Sequence, residues 1–343
     1  MPRRRRSRKF SRDPIEVEIE SLSHEGRGIT RINGKTVFVF GALVGETVII
    51  EIVKSSRKFD EAKVLEVIKP SPDRIEPRCA AYQQCGGCSL QHIDNSTQIQ
   101  LKQQSLLDML THAGISWGTL LPPLESQSWG YRGKARLGVK FVEKKGRVLV
   151  GFRERNSPYV CDMHRCEVLI PEVGENLDSL SEMIGKLDAR ALIPQIEVAA
   201  DGDQIQLVFR HLKPLSEQDQ QRLIEFGRRF NFMIQLQSGG PDTVVDLYPQ
   251  NQVLQLRPLQ DVDLKIEFRA TDFVQVNREL NQKMIRQALN LLSLNENDRV
   301  LDLFCGLGNF TLPMARLCQQ VVGVEGDLAM VERAGQGALR NQL

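Results

Sequence analysis

The 343-residue sequence predicts a multidomain α+β protein: a small N-terminal β-barrel, a central α/β domain with a metal centre, and a doubly wound α/β domain whose opening units alone are encoded. Three stretches carry that expectation. Short alternating strands crowd the region between Pro14 and about Ser71, three cysteines follow at Cys79-x5-Cys85-x2-Cys88, and residues 299–327 read as strand, glycine turn, helix, strand with an acidic end. The expected boundaries are a basic arm over 1–12, the barrel over 13–71, the central domain over 72–260 and the last domain over 261–343.

Seven Lys and Arg fall in the first 12 residues, MPRRRRSRKFSR, although the whole chain carries a formal charge of only +2. Such a run supplies counterion release on a phosphate backbone without reading sequence, or serves as a solubilising tail or leader. A hydrophobic share of 41% is enough for sizeable cores. No apolar run approaches the roughly 18–20 residues of a membrane helix and no signal segment opens the chain, so a cytoplasmic protein with no membrane partner is expected. Seven cysteines, an odd number without an export signal, point to metal or catalytic use rather than to disulfides.

In the barrel region the strands are IEVEIESL, GRGITRI, KTVFVF, TVIIEIVKS and FDEAKVLEVIKPS. Asn33-Gly34 marks a hairpin turn between two of them. Small barrels of this kind bind nucleic acid on an open face. Arg27, Arg31, Lys35, Arg57 and Lys58 either meet backbone phosphates or form a solvated face.

The cysteine run, with Gly86-Gly87 bending the chain between two ligands, calls for a metal. Cys161, His164 and Cys166 are the downstream candidates for a fourth ligand, and spacing alone leaves both that choice and iron versus zinc open. No Cys-x3-Cys-x2-Cys run is present, which argues for a structural role over radical generation. Residues 95–113 read as an amphipathic helix with Ile99, Leu106, Leu107 and Leu110 on one face and Gly114 as its stop. Strands are expected over 129–141 and 147–152, where Tyr131, Arg132, Lys134, Arg136 and Arg153 combine a stacking ring with cations, either for unstacked RNA bases or as an ordinary exposed face. Helices are expected over 172–187, 216–230 and 279–291, with strands at 195–198 and 204–209. His211 stands alone and reads as structural.

In the last stretch Gly306 and Gly308 permit a tight turn after a buried strand. Thr311 occupies the place of the third glycine of G-x-G-x-x-G, which a dinucleotide pyrophosphate would need. Asp302 lies within the strand, and Glu325 follows about 20 residues after the turn, the spacing of a carboxylate that accepts ribose hydroxyls. These details favour S-adenosylmethionine over a dinucleotide. Cys305 and Cys318 read as packing thiols.

LDLFCGLGNFTLP, preceded by DFVQVN at 272–277 and followed by VVGVEG at 321–326, resembles the RNA uracil-C5 methyltransferases that carry an iron–sulfur cluster, and the likeness runs from about Pro14 to the end. The resemblance implies an OB-like barrel of the TRAM type, a central domain whose [4Fe-4S] cluster is held by Cys79, Cys85, Cys88 and Cys166, and a Rossmann-like methyltransferase domain. It also implies S-adenosyl-L-methionine contacts at Gln275, Phe304, Asn309 and Glu325, a helix at 95–113 packed on the catalytic domain, a monomer, and a uridine of 23S ribosomal RNA as target. In that family a thiolate adds to uracil C6, C5 attacks the sulfonium methyl, and a base then removes the C5 proton. The family's nucleophile sits in a Ser-Cys-Asn-Pro run and its base is a late glutamate. Neither run occurs in these 343 residues, so no catalytic residue is assigned and the chain as it stands is expected to be inactive. The second reading is a non-catalytic RNA-binding protein with a vestigial methyltransferase part.

Overall fold

A computed structural model describes Ser11 and residues 13–343; the rest of the basic arm expected over 1–12 lies outside the described residues. The chain divides into two compact units, 1–123 and 124–343.

The first unit holds β1 (Ile15–Glu18), β2 (Ser21–Leu22), β3 (Gly28–Ile32), β4 (Lys35–Phe40), β5 (Thr47–Ser55) and β6 (Phe59–Lys69). They form one sheet in the order β1-β5-β6-β4-β3-β2. Its two edges are consecutive pieces of one chain: Ile19 N–H still donates to Glu46 across from β5, while Glu20 N–H already donates to Ile29 of β3. One strand that changes partner between adjacent residues closes the sheet into a barrel and removes both exposed edges. Alternation fills the inside, with Val48, Ile50 and Ile52 of β5 meeting Val37, Val39 and Ala62. The turn between β3 and β4 has Asn33 and Gly34 at φ 49° and 77°, which matches the twist of the flanking strands.

The cysteine loop belongs to this unit, because three contacts seat it on the barrel. Arg74 donates through Nε to Glu46 Oε1 at 2.6 Å and through Nη2 to Glu46 Oε2 at 2.7 Å. Tyr82 packs on Phe40 with ring centroids 5.7 Å apart. Leu90 covers Gly26 so closely that an added Cβ would lie 2.2 Å from its Cδ2. The compact unit therefore ends at Pro123, and not at the boundary near residue 71 read from the sequence. Helix α1 (Asn95–His112) is N-capped by Asp94, whose carboxylate accepts from Ser96 N–H at 2.9 Å, and it buries no residue.

The second unit opens with β7 (Lys134–Val142) and β8 (Arg147–Gly151), followed by α2 (Pro171–Gly174), α3 (Leu177–Gly185), β9 (Gln195–Ala200), β10 (Ile205–Arg210) and α4 (Glu217–Phe230). Then come β11 (Phe232–Gln237), β12 (Val244–Tyr248), β13 (Leu254–Leu256), β14 (Ile266–Phe268), α5 (Arg278–Leu292), β15 (Arg299–Leu303), α6 (Thr311–Ala315), β16 (Gln320–Val324) and α7 (Leu328–Arg340). Six of the strands make a mixed sheet in the order β12-β11-β10-β9-β7-β8, in which only β10 and β11 run parallel. On one face Val208 and Met233 share a core with Ile266, Phe268, Leu307 and Leu312, so apolar packing runs without a break across residue 260. β15 and β16 pair in parallel. Leu301, Leu303, Val322 and Val324 on them stay 46–60% exposed.

The helix expected over 172–187 is broken in two. Gly174 lies against Cys166 O, where a Cβ would come within 2.3 Å, and the chain turns before resuming as α3.

Candidate cofactor site

β15 runs into the glycine turn, and the turn is closed from its far end. Cys305 N–H donates to Val324 O at 3.1 Å, and Gly306 N–H donates to a Glu325 carboxylate oxygen at 3.1 Å. Gly308, at φ 93°, has Leu312 within 2.9 Å of the position a Cβ would take. Phe304 adopts φ 61° and leaves 89% of its surface exposed. A large side chain in the left-handed region is strained, and such strain persists only where the surroundings impose it. Asp302 reaches across the turn and accepts from the Thr311 hydroxyl at 2.6 Å, so the residue in the third glycine's place ties helix to strand.

Glu325 also accepts from Gly326 N–H at 2.7 Å and Asp327 N–H at 3.1 Å. The N–H donors of Asp327, Gly326 and Gly306 hold its carboxyl below the ordinary glutamate value, so it stands as an anion at the strand's carboxyl end. Asp327 then caps α7.

Asn309 is fixed by a residue that the sequence reading missed. Asn281 of α5, 7% exposed, exchanges two amide hydrogen bonds with Asn309, both 2.9 Å. Its signal was available: Asn281 lies one turn before the fully buried Ile285, a polar residue on an apolar helix face. The run that precedes α5 alternates, with Asp272 and Val274 buried and Phe273 and Gln275 exposed. Asn277 ends it by capping α5 through Leu280 N–H, and Asp272 is locked to Arg333 of α7 at 2.6 Å. The structure thus joins Phe304, Asn309 and Glu325 on one turn, while Gln275 stands on the exposed side of the segment leading into the helix that holds Asn309.

Burial, followed by the nearby Asp302 carboxylate, pushes the Cys305 thiol up, and its sulfur lies against Gly323. A thiol so placed is packed rather than reactive. Cys318 donates to Met314 O at 3.2 Å.

Among the cysteines expected to bind metal, Cys79 and Cys85 are buried and Cys88 is partly exposed. Cys79 N–H donates to Gln91 Oε1 at 3.1 Å, and Gly87 N–H points to Cys85 Sγ at 3.3 Å. In the second unit Cys161 and Cys166 are both buried, and Cys166 N–H donates to Gly174 O at 2.8 Å. His164 bonds Asp178 at 2.9 Å. Among the described residues no group of three or more His, Cys, Asp or Glu side chains is gathered as a metal site.

Several cations read as RNA contacts have partners inside the protein. Lys35 pairs with Asp60, Arg136 with Glu197 at 2.5 Å, and Arg132 lies over the Phe152 ring at 5.2 Å. Lys134 donates to Ala270 O, and burial lowers its pKa. Arg31, Arg57 and Lys58 stay exposed on the barrel. His211 is buried against Lys213 O at 2.8 Å, in a structural setting. No helix among the described residues is long and apolar enough to cross a membrane.

A closed β-barrel, a mixed-sheet domain and a parallel β-α-β turn with an acidic end define an RNA-modifying methyltransferase architecture. The chain belongs to the S-adenosylmethionine-dependent RNA uracil-C5 methyltransferases: residues 128–342 match the tRNA (Uracil-5-)-methyltransferase family, and residues 8–65 match the TRAM domain. It is 48% identical over 339 residues to the 23S rRNA (uracil(1939)-C(5))-methyltransferase RlmD of Xanthomonas campestris pv. campestris, covering 98% of this chain and 76% of the relative. The RlmD of Nitrosococcus oceani is 50% identical over 336 residues, or 97% of this chain and 75% of the relative. In fold it is similar to the Pyrococcus abyssi tRNA (uracil-54, C5)-methyltransferase in complex with S-adenosyl-L-homocysteine, with a TM-score of 0.70, 18% identity, and 96% and 77% of the two chains covered.

Proposed function

We propose that the protein takes part in S-adenosylmethionine-dependent methylation of C5 of a uridine in 23S ribosomal RNA. The observation that carries this reading is the turn in which strained Phe304, anionic Glu325 and the Asn281-held Asn309 converge. In it Glu325 accepts the ribose hydroxyls of the donor, exchanging its bond from Gly306 for them, while Phe304 and Asn309 bound the adenosine and Gln275 completes the site. Likeness to two RlmD enzymes across nearly the whole chain supports the ribosomal target. The TRAM barrel, with Arg31, Arg57 and Lys58 exposed, supports an RNA partner.

The chemistry is the addition of a thiolate to C6, attack of C5 on the methyl with loss of the neutral thioether, and removal of the C5 proton with elimination of the thiolate. No Ser-Cys-Asn-Pro run occurs in these residues, and neither packed Cys305 nor Cys318 substitutes for it. These 343 residues by themselves therefore bind donor and RNA without transferring the methyl group.

An all-thiolate set suits an iron–sulfur cluster better than a hard cation, and we assign Cys79, Cys85, Cys88 and Cys166 as its ligands. Burial of Cys79 and Cys85 and the N–H donor aimed at Cys85 Sγ are consistent with thiolates in that loop. When bound, the cluster cross-links two distant stretches of chain.

The test is calorimetric titration with S-adenosylhomocysteine. Glu325→Gln is expected to weaken binding by about 10- to 100-fold, the loss of charge-assisted hydrogen bonds. Absence of binding to the unaltered protein, or equal binding by the variant, sinks the assignment of the site.

A further inference from the structure

A second site is suggested by a cavity of about 530 Å³ in the 124–343 unit, to which none of Gln275, Phe304, Asn309 or Glu325 contributes. That volume falls in the range of roughly 300–1,000 Å³ found for small-ligand clefts. Its floor is one face of the mixed sheet, where Gln206, Gln235 and Asp246 stand on β10, β11 and β12, and Phe268 and Arg269 at the end of β14 help to wall it. Gln206 is 3% exposed, yet its amide has no hydrogen-bond partner among the described residues. Buried amides are almost always paired, and the open direction here is the cavity. Gln235 is different: its Nε2 is engaged by Asp246 at 2.8 Å, leaving its carbonyl oxygen to accept.

Charge selects the ligand. Asp242, Asp246 and Glu267 line the cavity, so an anion inside is disfavoured. Arg333 and Arg340 are already paired, with Asp272 and Glu267. Arg269 is exposed and has no ionic partner among the described residues. A neutral planar group with adjacent donor and acceptor satisfies the amides, and a phosphate attached to it satisfies Arg269. A nucleotide has both, and glutamine amides read base edges in this two-point way. We propose that the cavity binds an unpaired nucleobase flanking the methylated uridine, with Gln206 on the base edge and Arg269 on its phosphate. This inference rests on the RNA-modifying reading above.

The experiment is saturation-transfer NMR of adenosine and uridine 5′-monophosphates on the purified protein, with S-adenosylhomocysteine present in excess to fill the donor site. Base protons of at least one nucleotide are expected to receive saturation. Gln206→Leu and Arg269→Ala should each weaken that binding by about tenfold while S-adenosylhomocysteine affinity is unchanged. If Gln206→Leu also loses S-adenosylhomocysteine, it has disturbed the fold and the gentler Gln206→Asn decides, with the same tenfold loss expected. Undiminished nucleotide binding in Gln206→Asn, or no nucleotide binding by the unaltered protein, overturns the proposal. Failure of S-adenosylhomocysteine to bind would instead strike the donor-site assignment and leave the nucleotide result to stand by itself.

Discussion

Phe304 keeps a left-handed backbone although most of its ring is in solvent, so the fold gains little from the side chain at that position. Phe304→Gly is expected to raise stability by about 1 kcal/mol in urea unfolding, because glycine adopts that φ without a Cβ penalty. The same change should weaken S-adenosylhomocysteine binding, and a variant that is both more stable and fully binding would remove Phe304 from the site. Glu46 poses the opposite case. It is fully buried, and although burial alone raises its pKa, hydrogen bonds from Arg74, Ser71 and Leu43 outweigh that and hold it below the ordinary glutamate value. A depressed folded-state pKa contributes stability above the unfolded value of about 4.3, and that contribution is lost as pH falls through the folded value. Stability measured from pH 6 downward should therefore fall in the unaltered protein and lack this component in Glu46→Gln. Arg74→Ala leaves the carboxylate buried and unpaired, at an expected cost of about 3 kcal/mol near neutral pH.

At the level of elements, α5 does more than fill space, since Asn281 carries its orientation to Asn309. Asn281→Ala should lower S-adenosylhomocysteine affinity by about tenfold with circular dichroism unchanged, and unaltered affinity would reduce the pair to packing. The cysteine loop depends on its seat in a similar way. Gly26→Ala forces a Cβ into Leu90 at a residue with φ 74°, which should destabilise the first unit by about 2 kcal/mol and lower the iron content of purified protein. Full iron content in that variant would show that the loop forms without the barrel. The strand–turn–helix–strand stretch was legible because a buried parallel strand, a glycine turn and an acidic end each leave a local mark. So were the five barrel strands, through period-two alternation and Asn33-Gly34. Strands β11 and β12 left no such mark, because Gln235 and Gln237 interrupt the apolar run and Asp246 sits within its partner. The break between α2 and α3 was equally hidden, since it depends on Gly174 lying against Cys166 O, a contact remote in sequence.

Across the whole molecule, the same difference between local and distant signals explains the domain boundaries. Composition changes near residues 71 and 260, but compactness does not follow it: Arg74, Tyr82 and Leu90 bind the cysteine loop to the barrel, and Leu307 and Leu312 share a core with Val208 and Met233. Long-range packing of this kind leaves no pattern along the chain. It does leave a mechanical consequence, because the chain crosses from one compact unit to the other near Pro123 in a segment that lacks regular structure. From 113 to 125 every residue is exposed, including Trp117, Leu120 and Leu121. Exposed backbone without ladder or helix bonds is where proteases cut first. Brief chymotrypsin treatment under native conditions should therefore cleave after Trp117, Leu120 or Leu121 before it cuts near 71 or 260, giving one fragment with the barrel and the cysteine loop and one with everything from the mixed sheet onward. Mass spectrometry of the first products decides it. Early cuts clustered near residues 71 or 260 would mean that the compositional boundaries, and not the packing contacts, delimit the cooperative units.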